Sequence, residues 1–362
     1  MVTYPALPFD VIHHICSTVY HMNHKAFCSL SLVDQRIRTA CIPFLFEEII
    51  FDRQWGEDGI PWDGVPDAIE DILKQRAILN AVRSLHFQPW VHKFEESPIP
   101  TAFFKLLFSL PNLRHLAILL QSPYQDQFRR ELGLIDEDTI QSGKKLLPTV
   151  QSVRIASAAW MFISDCSPNL VALDVTNAST TNWPPHQDPD LDIAKLGKIH
   201  PELEELYCDL PGTEPNVREI ADHLPRIQGL GLWGRGYREP NGILDHLHAF
   251  TRLKNLKSLS VPGASGLGMG FYPPRCGNAY RQDPGLRDKA AKQGRDTMEK
   301  FMRGIETRII SEKGSTLREV VVGSISWGGQ EIWEKGEDGK LRRNKAIERS
   351  GRTRKVIKVT KL

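Results

Sequence analysis

The chain contains no run of about 18 apolar residues, the length that a membrane-spanning helix requires. Its amino terminus lacks the basic start and apolar stretch of a secretory signal. A charge excess is missing too. The 46 Lys and Arg against 44 Asp and Glu leave a net +2 over 362 residues, which argues against an electrostatic nucleic-acid binder. Cysteine is sparse: Cys16, Cys28, Cys41, Cys166, Cys208 and Cys276 include no pair at CxxC spacing. Neither a zinc site nor a redox motif is expected. Thiols outside any framework fit a reduced setting, cytoplasmic or nuclear.

Catalytic signatures are equally scarce. No G-x-S-x-G, Walker loop or HExxH is present, and no pair of carboxylates is marked by its surroundings. Gly229-Leu-Gly231-Leu-Trp-Gly234 fits G-x-G-x-x-G, but Leu230 and Leu232 belong to a strand pattern, and Arg235 to Gly242 reads as turn rather than as the helix that a pyrophosphate needs. His13, His14, His21 and His24 lack convergent cysteine or carboxylate company. The expectation is a protein with no catalytic residue, no cofactor and no metal. A cryptic site involving Cys276 or Asn278 is the enzymatic alternative.

What is present begins with ordinary globular composition, 41% hydrophobic and 25% charged. From Glu331 to Leu362 there are 11 Lys and Arg against 5 Asp and Glu, so this tail carries +6 and the rest −4. Pro8 suits the first turn of a helix, and Val11, Ile12, Ile15 and Val19 recur at helical spacing. A second helical stretch is expected from Ala26 to about Cys41, with Phe27, Leu30, Val33, Ile37 and Cys41 on one face, Leu32 off it, and Pro43 ending or redirecting the helix. Phe44, Leu45, Phe46, Ile49, Ile50 and Phe51 follow as an apolar exit. Fifty residues cannot bury so much apolar surface alone, which implies a partner or a neighbouring domain.

Three runs carry a resemblance: Leu7-Pro8-x-Asp10-Val11-Ile12-x-x-Ile15; Leu30-Ser31-Leu32-Val33-Asp34-Gln35-Arg36-Ile37-Arg38; and Ala40-Cys41-x-Pro43-x-Leu45-Phe46. Together they resemble the F-box in its fungal form, over about the first 50 residues. The family often has Cys where Asp34 stands and Trp where Ile37 stands. The resemblance implies a helical module that docks a Skp-type adaptor and, through it, a cullin ubiquitin-ligase scaffold. Leu7, Pro8, Ile12 and Ile15 match the family's leading contact segment, and Leu30, Leu32 and Val33 its second.

Beyond residue 52 one template recurs, apolar-x-x-apolar-x-apolar. It places pairs at Leu85/Phe87, Leu116/Ile118, Val153/Ile155, Leu173/Val175, Leu206/Cys208, Leu230/Leu232, Leu259/Val261 and Val320/Val322. Residues two apart share one face of a strand, and Asn112, Asn169 and Asn255 stand where turns are needed. Helices are expected over 102–110, 191–199 and 217–224. The pattern resembles irregular leucine-rich repeats. An α/β domain whose parallel strands share turn chemistry is the alternative. A long insertion, about 262–310, includes a helix over Asp296 to Ile310 with Met298, Phe301, Met302, Ile305 and Ile309 on one face. Asp338-Gly339 marks a terminal hairpin near 330–342.

The expected architecture is therefore α/β: a helical module over 1–52, then an irregular leucine-rich-repeat solenoid with a parallel sheet over 53–362. The expected role is a non-catalytic substrate receptor holding an unknown target protein. The alternative role is a repeat scaffold with no part in ubiquitin transfer.

Overall fold

The structure is a computed structural model that describes residues 7–52, 64–88, 98–120, 147–155, 166–176, 191–234, 241–271, 284–323 and 331–344, with isolated positions at 127–128, 131 and 163–164. Two compact units divide between Gln151 and Ser152.

The first unit opens with three helices, α1 (Phe9–Met22), α2 (His24–Leu30) and α3 (Gln35–Leu45). The single helix expected over 26–41 is two helices. Its break follows from side chains that compete for the backbone. Ser31 Oγ donates to the Cys28 carbonyl at 2.7 Å. Asp34 Oδ1 accepts the Ile37 amide at 2.9 Å as the N-cap of α3. Asn23 Oδ1 caps α2 in the same way through the Ala26 amide. Pro43 lies inside the last turn of α3 and does not end it.

These helices share a core of Ile12, Cys16, Phe27, Ala40 and Cys41, against which Val19, Tyr20, Leu30, Ile37, Phe44 and Leu45 pack. The rings of Tyr20, Phe27 and Phe44 lie 5.2–5.9 Å apart and bind the three helices together. The apolar exit becomes a strand, β1 (Glu48–Asp52), parallel to β2 (Ser84–Gln88), which pairs with β3 (His115–Ile118). Helices α4 (Val65–Leu73), α5 (Arg76–Ala81) and α6 (Ile99–Phe108) accompany them, and α3 packs against α5.

The second unit holds β4 (Ser152–Ile155), β5 (Ala172–Asp174), β6 (Glu205–Cys208), β7 (Gly229–Leu232), β8 (Ser258–Val261) and β9 (Glu319–Val322), hydrogen-bonded in sequence order and all parallel. Helices α7 (Ile193–Ile199) and α8 (Glu214–His223) and a 3-10 helix over Gly242–Arg252 connect them. The long helix α9 (Pro284–Ile305) starts earlier than expected and runs into a π-helical turn, Glu306–Ile310. Met298, Phe301, Met302, Ile305 and Ile309 are its buried face. The hairpin β10 (Glu331–Lys335) and β11 (Leu341–Arg343) is antiparallel and pairs with β9. Gly339 takes φ +76 in its turn, which a residue with a Cβ resists.

All eight apolar pairs of the template lie at strands β2–β9, and both members of each pair are buried. The chain is α/β, with mostly parallel strands. Its turns repeat one hydrogen-bond device. A single carbonyl accepts two successive amides of the next turn: Glu47 from Arg83 and Ser84, Arg83 from Arg114 and His115, Glu204 from Gln228 and Gly229, Gln228 from Lys257 and Ser258, and Lys257 from Arg318 and Glu319. Asn112 and Asn255 each donate from Nδ2 to a carbonyl of an earlier turn, at Asn80 and Pro225, both at 2.9 Å. The amides and carbonyls of these turns thereby find partners.

Among the described residues no helix is long and apolar enough to cross a membrane. The basic segment after Asn344, and Cys276 and Asn278, lie outside the described residues.

Candidate interaction site

The first candidate surface lies on the three amino-terminal helices. The core side of α1 is the stripe Ile12, Cys16, Val19 and Tyr20. At 100° per residue, Val11 and Ile15 stand to one side of that stripe. The single apolar face expected from Val11, Ile12, Ile15 and Val19 is therefore split in two. Ile12 and Val19 turn inward. Val11 and Ile15 turn outward and are 43% and 42% exposed.

Of the seven expected contact residues, Ile12 is buried in the module's own core and has little surface to offer a partner. Leu30 is half-buried against that core. Leu7, Pro8 and Ile15 are exposed, as are Leu32 at 76% and Val33 at 65%. Val33, expected on the inner face of a continuous helix, instead lies in the break before α3. Phe9 and Met22 are exposed as well, and both were missed as surface residues. Phe9 stands at helical spacing from Ile12 and Cys16 but at the first turn of α1, where its side chain stays 47% exposed.

The two exposed segments are tied together. The Arg36 guanidinium donates to the Leu7 carbonyl at 2.9 Å, across 29 residues of sequence. The start of α1 and the α2–α3 turn thus meet on one side of the module. Isolated exposed leucines are commonplace, but a group gathered by a tertiary hydrogen bond is an apolar surface. Fully burying an exposed side chain of this size contributes about 1.5–3 kcal/mol, and covering these partly exposed ones contributes a share of it in proportion to the surface that remains in water.

The second candidate surface is the face of the second unit's strands opposite their apolar core. Register sets Ser152, Ala172, Glu205, Gly229, Ser258, Glu319 and Glu334 in one row. The adjacent row holds Arg154, Asp174, Tyr207, Gly231 and Ser260, then Val321 and Ile332, both buried. Tyr207 lies against Gly231, where a Cβ would overlap its ring. Burial first, then the carboxylates of Glu205, Asp174 and Glu319, push the Tyr207 phenol up. Arg154 Nε pairs with Asp174 at 3.1 Å. Glu205, Glu319 and Glu334 instead engage Tyr207, Ser258 and Asn344, with no cationic partner among the described residues. This tilt toward negative charge has no counterpart in the net charge of the chain.

The first two glycines of G-x-G-x-x-G belong to this face. Gly229 and Gly231 lie in β7, and the segment is strand as far as Leu232. Among the described residues no group of three or more His, Cys, Asp or Glu could hold a metal ion. His13 stacks near Phe9 and Phe44, and His24 lies beside Tyr20 and Cys28.

No protein-family model matches the chain, and no curated protein matches it.

Proposed function

We propose that this protein is a non-catalytic substrate receptor of an SCF-type cullin ubiquitin ligase, acting in the cytoplasm or nucleus. In this reading the amino-terminal helices are an F-box that docks a Skp-type adaptor, and the parallel strands belong to irregular leucine-rich repeats that hold a target protein. The mechanism is proximity: one chain binds both partners, which raises the effective concentration of the target at the transfer enzyme.

One observation carries the reading. Among the described residues, the large hydrophobics left exposed are Leu7, Phe9, Val11, Ile15, Met22, Leu32 and Val33, with Ile199 the sole outlier. All but Ile199 belong to the first three helices and the segments that flank them, and apolar side chains left in water in one module mark a candidate interaction site. The recurring turn device and asparagine contacts support the repeat part of the reading.

A repeat scaffold whose helices serve only as a cap is the rival, and the packing of α3 on α5 favours it. A cap, however, presents a polar outer face, whereas α1 and the residues before it present Leu7, Val11 and Ile15. Binding of a purified Skp-type adaptor to the full chain separates the two. Leu7→Asp with Leu32→Asp is expected to abolish binding while the circular dichroism spectrum stays unchanged. Unaltered binding by this double variant sinks the docking assignment. Ile12→Asp is a poor test, because it places a charge in the core.

A further inference from the structure

We propose that Cys16 and Cys41 form a modification site, oxidised by hydroperoxides to an intrachain disulfide that ties α1 to α3. The two sulfurs lie 3.5 Å apart, with the Cys41 thiol donating to Cys16 Sγ, although 25 residues separate them in sequence. Both are free thiols with no exposed surface. They belong to the buried core of the module together with Ile12, Phe27 and Ala40.

A disulfide needs its sulfurs about 2.05 Å apart. The sulfurs must therefore close by roughly 1.5 Å, through rotation of the two side chains together with a small approach of the helices that carry them. Burial, followed by the Cys16 hydrogen bond, pushes the Cys41 thiol up to about 12. The thiolate is the reacting form, so the bond forms slowly in the closed module and faster as pH rises. Cys208 is equally buried, but no thiol stands beside it among the described residues. Cys28 is half-buried with Sγ 3.7 Å from His24 Nδ1 and is the thiol nearest the surface of the module.

The chemistry balances in two steps. One sulfur attacks a peroxide oxygen, the O–O bond breaks, and a sulfenic acid and an alcohol (or water, from hydrogen peroxide) result. The second sulfur then attacks the sulfenic sulfur, the S–O bond breaks, and water leaves with the remaining thiol proton. Each sulfur gives up one electron, and the peroxide takes both.

The consequence for binding rests on the docking reading, whereas the disulfide itself does not. Cys16 follows Ile15 directly, and Cys41 lies in the helix that begins just after Leu32 and Val33. Drawing α1 onto α3 shifts the two segments that carry the exposed apolar side chains, so the oxidised form binds the adaptor more weakly.

The test uses the full folded chain, titrated with hydrogen peroxide, quenched with N-ethylmaleimide and mapped by mass spectrometry without reduction. The expected product joins the Cys16 and Cys41 peptides at a mass two hydrogens below their sum and is reversed by dithiothreitol. Cys41→Ala is expected to abolish it. If that variant does not fold, the wild-type map decides alone. Recovery of both residues as separately alkylated or sulfinic species, at peroxide levels that oxidise Cys28, overturns the proposal. Adaptor binding is measured first under reducing conditions. Its absence there sinks the docking reading and leaves the disulfide standing. Binding that is present and unchanged by a mapped disulfide overturns the regulatory step alone.

Discussion

Ile12 and Leu32 are both aliphatic members of the same resemblance, yet they do opposite work. Ile12 is 9% exposed and helps hold three helices together, whereas Leu32 stands in water on a turn. The difference predicts separable phenotypes. Phe27→Ala, in the same core as Ile12, removes a ring in contact with Tyr20 and Phe44 and is expected to cost about 3–5 kcal/mol in urea unfolding. Leu32→Ala is expected to change stability by no more than about 0.5 kcal/mol while weakening adaptor capture. A stability loss at Leu32 comparable to that at Phe27 would show that the turn is structural. Thiols behave according to depth in the same way. Burial pushes both Cys41 and Cys208 up to about 12. In the unfolded chain these thiols ionise near pH 8.5. The fold therefore holds extra protons above that pH, and stability is expected to fall as pH rises from there toward 12. A urea midpoint that is flat or rising with pH across that range would contradict the assignment.

Elements end where side chains capture backbone groups, and this decided which helices exist. Leu30 to Arg38 has an apolar rhythm compatible with a single helix, but Ser31 and Asp34 close off one helix and open the next. Capping is a local hydrogen-bond choice that hydrophobic spacing does not report. The eight apolar strand pairs were legible because a strand with one buried face writes itself at period two. The strand β1 was missed as a repeat copy although Phe46-x-x-Ile49-x-Phe51 fits the template and Ile49 and Phe51 are buried, because those residues also read as the apolar exit of the helices. The terminal hairpin was legible from Asp338-Gly339. Asp338 Oδ1 accepts the Lys340 amide at 3.2 Å, and its other oxygen pairs with Arg342. Those contacts, the amide first, hold its carboxyl below the usual range. A depressed carboxylate contributes above its unfolded pKa and loses that contribution as pH falls through its folded one. The protection of the β10–β11 turn amides, taken relative to their intrinsic exchange rate at each pH, is therefore expected to fall below about pH 4, and Asp338→Asn should show the reduced protection at neutral pH as well.

At the scale of the whole molecule, two surfaces depart from the average composition: the apolar side of the amino-terminal helices in the first unit and the carboxylate-bearing sheet face in the second. Glu205→Lys with Glu319→Lys is expected to reduce target capture by at least tenfold, on the order of 1.4 kcal/mol, without lowering the melting temperature. A large fall in that temperature would assign the carboxylates to structure instead. The hairpin also protects an edge. Truncation after Gly323 removes the partner of β9 and leaves Val320 to Val322 with unpaired backbone, a template for edge-to-edge association. Light scattering should rise with concentration in that truncation and not in the full chain.

The residue types and their spacing determined the class of the fold, because periods of 2.0 and 3.6 are imposed by backbone geometry wherever a face must be buried. They determined the strand positions, the terminal hairpin and the apolar character of the first fifty residues. Only the tertiary structure decided which of those apolar side chains remain in water, since Ile12 and Ile15 differ by the direction in which a helix turns against its neighbours. It alone brought Leu7 to Arg36, Cys16 to Cys41, and Glu205 into one row with Glu319. Each of these pairings spans 25 or more residues, and contact at that separation depends on packing, which no local pattern encodes.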